Sequence, residues 1–124
     1  MHESGEMYLE TILILGVRKN LVRAVDVAEE MGISKASVSR ALARLKNDSC
    51  IIVDANGHIA FTESGRAIAE KIYERHQVLT EILMAIGVER ETAARDACKI
   101  EHDISDETFD AMKRHLNKKQ AAAN

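Results

Sequence analysis

Between Ala24 and Leu45 the chain changes pattern in a way that few folds accept. Val27, Ala28 and Met31 recur at helical spacing, Gly32 interrupts them, Ile33 follows, and Ser34 opens a second pattern with Val38, Ala41, Leu42 and Leu45 turned inward. Glycine adopts the left-handed conformation that ends a helix without a Cβ penalty, and a serine there caps the next one. Ala28 is small enough for the two helices to approach closely, with Ile33 and Val38 closing the core between them. The spacing predicts a helix-turn-helix. Its second helix presents Lys35, Ala36, Ser37, Ser39, Arg40 and Arg44 outward. Short side chains at its start suit entry into the major groove of DNA, where Arg40 can reach base edges and the others phosphates. Polar outer faces also occur in helical bundles that touch no nucleic acid, so the turn glycine, capping serine and basic face carry the reading together.

The segments around this pair extend it. Cys50-Ile51-Ile52-Val53 and His58-Ile59-Ala60-Phe61 flank Asp54-Ala55-Asn56-Gly57, which predicts a β-hairpin turned at Asn-Gly, the wing of a winged helix. Before it, a first helix is expected from a capping Ser4 to about Val17, with Tyr8, Leu9, Ile12 and Leu15 inward and Met7 and Glu10 on a separate face. After it, Thr62 caps a helix expected to reach about Gln77, with a hinge near Tyr73 to Gln77. Helices follow over Val78 to Ile86, Glu91 to Ile104 and Ser105 to about Leu116, then a frayed tail over Asn117 to Asn124. Val78, Leu79, Ile82, Leu83 and Ile86 offer more apolar surface than so small a unit can bury alone, which points to a homodimer. The expected architecture is mainly α: a winged helix-turn-helix DNA-binding domain over 1–71, then a helical metal-binding and dimerisation domain over 72–124.

Composition narrows the class. Proline is absent and aromatic residues make up 3% of the chain, which favours long helices and disfavours base stacking. The net charge of −3 argues against indiscriminate nucleic-acid affinity but leaves room for a local basic face. Ile12 to Leu15 is the longest apolar run, too short for a bilayer, and Met1-His2-Glu3 lacks the basic start of an export signal. A cytoplasmic location with no membrane partner is expected, and the two cysteines, Cys50 and Cys98, are expected reduced. No nucleophile, phosphate loop or separate general base stands out, so neither an enzyme nor a small-molecule substrate is expected.

Near the C-terminus, Cys98, Glu101 and His102 fall at i, i+3 and i+4, on a helix face apart from Ala93, Ala97, Ile100 and Ile104. A thiolate, a carboxylate and an imidazole form a mixed donor set that suits a divalent first-row transition metal better than Ca²⁺ or Mg²⁺. Such a site needs deprotonated ligands, so acidification is expected to weaken it.

Taken together, Glu6 to Ile12, Val27 to Leu45, Thr62-Glu63-Ser64-Gly65-Arg66, Arg75-His76 and Ala97 to His102 resemble, in order and spacing, the diphtheria toxin repressor family of metal-activated transcriptional repressors. The resemblance covers the chain up to about Leu116. It implies a repressor of metal-homeostasis genes that binds double-stranded operator DNA as a homodimer. It implies a metal site of Met7, Cys98, Glu101 and His102, as in the iron-responsive branch; the manganese-responsive branch has aspartate and glutamate at the first two positions. Sulfur at both favours Fe²⁺ over Mn²⁺. Glu10 matches a ligand of the manganese branch and His76 a histidine ligand of both, so Mn²⁺ stays an alternative, as does a second metal held by Glu10, His76 and Glu101. Thr80 and Ala94 stand where iron-responsive members carry further ligands. The architecture resembles the short, two-domain branch. The competing reading is a metal-independent winged-helix regulator in which Met7 and Cys98 pack and His102 is a surface group.

Overall fold

Tyr8, Leu9, Ile12 and Leu15 recur at helical spacing, and all four are buried along α1 (Glu3–Lys19) in the computed structural model. The structure describes the backbone of residues 3–123 and the side chains of residues 5–122. Ser4 already lies within α1, so it is not the cap expected of it. The helix ends beyond Val17 because Arg18 and Lys19 suit the negative end of the helix dipole, and Asn20 then turns left-handed at φ 70°.

The helix-turn-helix forms by local signals. In α2 (Ala24–Met31), Val27 and Ala28 are buried; Gly32 takes φ 65° and returns its N–H to Ala28 O. Ser34 then caps α3 (Lys35–Asn47), its Oγ accepting from the Ser37 N–H at 3.1 Å. Val38, Ala41, Leu42 and Leu45 are buried as their spacing predicts, in one core with the inward residues of α1.

Strands β1 (Ile51–Val53) and β2 (Ile59–Phe61) pair antiparallel, Ile51 opposite Phe61 and Val53 opposite Ile59. Both are one residue shorter than expected. The Cys50 N–H goes to Leu45 O at 2.9 Å, at the exit of α3, and the His58 N–H goes to the Asp54 carboxylate at 2.9 Å. Among the turn residues only Gly57 has a positive φ, 82°, so Asn56 does not share that role. Asp54 organises the turn instead, accepting from the N–H groups of Asn56 and His58.

These bonds, the one from His58 foremost, hold the Asp54 carboxyl below the usual carboxylate range. A folded pKa below the unfolded one means that this support is complete above the ordinary carboxylate value and is lost as pH falls through the lower, folded value. The Asn56 and His58 amide resonances are therefore expected to hold their positions down to about pH 4 and to move below it. Movement centred on the histidine range would contradict this.

Helix α4 (Glu63–Ala85) is one helix of 23 residues, where two helices and a hinge were expected. Thr62 caps it, accepting from the Gly65 N–H at 3.1 Å, and no proline or later glycine interrupts it before Gly87. The chain divides into two units, Met1–Lys71 and Ile72–Asn124, so residues 63–71 of α4 belong to the first and residues 72–85 to the second.

The second unit adds α5 (Arg90–Ile100) and α6 (Asp106–Ala123) to that segment of α4. Its buried apolar residues are Ile72, Leu79, Ala93, Ala97, Phe109 and Leu116. Val78, Ile82 and Leu83 are half-buried, and Ile86 is 72% exposed. The expected tail is helical to Ala123: its alanines are strong helix formers, and Gln120 donates to Glu81 at 3.1 Å. Among the described residues no helix is long and apolar enough to cross a membrane.

Candidate functional site

Helix α5 stops at Ile100, four residues short of the expected Ile104. Its geometry nevertheless persists through Glu101, which keeps a right-handed helical conformation and donates its N–H to Ala97 O at 2.9 Å. The i, i+3 relation of Cys98 to Glu101 therefore survives the end of the helix.

Glu101 is the centre of the arrangement. It is 0% exposed. One carboxylate oxygen, Oε2, lies 2.9 Å from Nδ1 of His76 on α4. The other, Oε1, lies 3.4 Å from Nε2 of His102 and makes no hydrogen bond among the described residues. The His102 side chain is fully enclosed, although its backbone reaches the surface. A carboxylate removed from water is costly unless it is paired or binds a metal, and imidazole nitrogens approach both of its oxygens. Two imidazoles and a carboxylate are the donors a divalent first-row cation takes, so these residues fit such an ion. Cys98 stands one turn earlier, half-buried.

The second unit thus brings His76, Glu101 and His102 together, while Met7 and Glu10 belong to the first unit. Both lie on α1 at i, i+3, Met7 half-buried and Glu10 buried at 7% exposure. Thr80 spends its hydroxyl on His76 O at 2.7 Å, and Ala94 has no donor, so neither extends the set.

Sequence reasoning passed over Arg75 as a working residue. It is buried, donating to Glu101 O at 3.1 Å and Ile104 O at 2.8 Å and pairing with Asp106. A signal was present: Ile72, Arg75 and Leu79 repeat at i, i+3 and i+7, which puts an arginine on the inward face of its helix.

In the first unit, Lys35, Ala36, Ser39, Arg40 and Arg44 of α3 are exposed and Ser37 is half-buried. Arg40 Nη2 donates to Ser37 Oγ at 3.4 Å, and Ser37 also accepts from Ser34 Oγ at 3.0 Å, so small hydroxyl groups set the start of this face. Several cations elsewhere are matched to carboxylates: Arg18 with Glu30, Lys19 with Asp26 at 2.9 Å, Arg66 with Glu70 at 3.6 Å and Lys113 with Glu74 at 2.8 Å.

Residues 1–59 match the family model described as the iron dependent repressor N-terminal DNA binding domain, and residues 62–122 that of the iron dependent repressor metal binding and dimerisation domain. The HTH-type transcriptional regulator MntR of Geobacillus kaustophilus is 33% identical over 109 residues, covering 88% of this chain and 77% of that protein. The transcriptional regulator MntR of Salmonella typhimurium is 36% identical over 105 residues, covering 85% and 67%. Among solved structures, the manganese regulator SloR superposes with a TM-score of 0.81 and the metal-dependent transcriptional regulator MtsR with 0.84, each at 24% identity. The chain spans about half the length of these two structures, 53% of each, and 91% of its own residues align; the likeness shows the fold.

Proposed function

Because the chain belongs to the diphtheria toxin repressor family of metal-dependent transcriptional regulators, which are not enzymes, we propose that it represses transcription by binding operator DNA as a metal-loaded homodimer. The observation that carries this reading is the enclosed Glu101 carboxylate with an imidazole nitrogen near each of its oxygens. In this proposal His76, Cys98, Glu101 and His102 hold a divalent transition metal, with Met7 and Glu10 as further ligands. The ion supplies positive charge that favours the ionised carboxylates and thiolate over their protonated forms. The partly exposed Val78, Ile82, Leu83 and Ile86 supply apolar surface for a second copy of the chain.

Fe²⁺ is the proposed metal, on the sulfur donors Met7 and Cys98. Mn²⁺ is the second reading, favoured by the carboxylate and imidazole donors at Glu101 and His76 and by the description of SloR as a manganese regulator. Anaerobic operator binding against Fe²⁺, Mn²⁺, Co²⁺ and Zn²⁺ at controlled free concentrations tests both. Tighter operator binding with Fe²⁺ than with Mn²⁺ is expected; the reverse order at equal free concentration overturns the iron assignment, and no response to any metal overturns the switch.

The recognition face of α3 makes a separate prediction. Arg40→Ala is expected to weaken operator binding by about 1–3 kcal/mol and to relax preference at the base it reads. Arg44→Ala is expected to weaken specific and random DNA alike and to reduce the salt slope by about 1. Fluorescence anisotropy over a salt series separates the two, and an unchanged affinity for Arg40→Ala would remove it from the interface.

A further inference from the structure

We propose that Arg75 is a positioning residue that sets the backbone of the ligand-bearing turn before metal arrives. The inference rests on the metal-site reading above and deepens it. Where α5 ends, the last carbonyls of the helix have no partner within it and concentrate negative partial charge. From α4 the Arg75 guanidinium reaches the cap of that end and the turn beyond it: Nη1 donates to the O of the cap residue Glu101 at 3.1 Å and to Ile104 O at 2.8 Å, while Nη2 pairs with Asp106 in the first turn of α6. Its Cζ lies 5.4 Å from the centre of the Phe109 ring. One planar group therefore ties the end of α5, the turn and the start of α6 together.

The neighbouring residue completes the argument. His76 meets the Glu101 carboxylate, so consecutive residues of α4 hold the backbone and the side chain of the same glutamate. Rotation of the Glu101 carbonyl away from Arg75 would swing the Glu101 and His102 side chains with it. The turn's own amides report on this state: Glu101 N–H donates to Ala97 O at 2.9 Å, Asp103 N–H to Ile100 O at 3.0 Å and Ile104 N–H to Ile100 O at 3.3 Å. Holding ligands in place before binding lowers the ordering cost that binding would otherwise carry. A lysine cannot reproduce the fork, since an ammonium is a point charge without the fixed planar geometry.

The test compares the full chain with Arg75→Met, Arg75→Lys and Asp106→Asn. Two readouts are used: amide hydrogen exchange without metal, and Co²⁺ titration by visible absorption. Arg75→Met is expected to exchange about tenfold faster at Glu101, Asp103 and Ile104, with the Ala93 amide at the other end of α5 unchanged, and to bind Co²⁺ roughly 10–100-fold more weakly with an altered absorption band. Arg75→Lys is expected to restore part of both, and Asp106→Asn to show a smaller loss of each. Should Arg75→Met not fold, the other two variants carry the same comparison. A wild-type Co²⁺ affinity and band in the folded Arg75 variants and Asp106→Asn overturns the role given to Arg75. Failure of the wild type itself to bind Co²⁺ overturns the metal reading, and the positioning role with it.

Discussion

Replacing Glu101 with glutamine is expected to abolish metal-dependent operator binding while leaving the metal-free fold in place. Glutamine keeps the volume and one carbonyl oxygen, but it offers no charge to a cation. Loss of an outer partner of a metal ligand costs about 10–100-fold in affinity, so removal of a central carboxylate is expected to cost at least about 100-fold. The consequence is measurable without DNA. At a metal concentration about 100 times its dissociation constant, the wild type gains about 2.7 kcal/mol of stability, and a variant binding about 100-fold more weakly gains only about 0.4 kcal/mol. Urea unfolding with and without metal reads this difference. A variant that kept the full gain, together with wild-type operator binding, would remove Glu101 from the site.

Gly65→Ala is expected to unfold the first unit or to destabilise it by about 3 kcal/mol or more. A Cβ at Gly65 would stand 1.9 Å from Cys50 O and 2.7 Å from Cys50 C, well inside contact distance of the backbone. That carbonyl is held, since it accepts the Thr62 N–H at 3.0 Å, and Thr62 in turn caps α4 at the Gly65 N–H. Overpacking against flexible side chains costs about 1–3 kcal/mol; here the obstacle is main chain, which has less room to give. Gly16→Ala is the contrast. It lies in α1 with nothing within 4 Å of its would-be Cβ, and the exchange is expected to stabilise by about 0.5–1 kcal/mol. Denaturant unfolding of both variants checks the pair, and equal midpoints would refute the steric account.

The parts of the fold legible in the chain were those whose cause lies within a few residues. Gly32 and Ser34 are read from their neighbours because the bonds they make reach only three or four positions along the chain, to Ala28 and Ser37. The ends of elements were less legible. Nothing local separates one helix of 23 residues from two shorter ones, and an alanine-rich tail reads as fraying until Gln120 is seen to meet Glu81, 39 positions away. The candidate site divides along the same line: Cys98, Glu101 and His102 were visible as a helical spacing, whereas His76 entered only through family resemblance.

By itself the sequence determined the helix-turn-helix, the faces its helices turn inward and the donor chemistry near the C-terminus. These follow from periodicity, caps and residue type, all of which act over about one or two helical turns. Only the tertiary structure decided that Glu101 is fully enclosed, that His76 meets its carboxylate from 25 positions away, and that Arg75 reaches 26 to 31 positions to hold the turn around it. A helical pattern states which face a residue occupies and not what will face it. The partner is chosen when the chain closes loops of that length and buried polar groups must find one another.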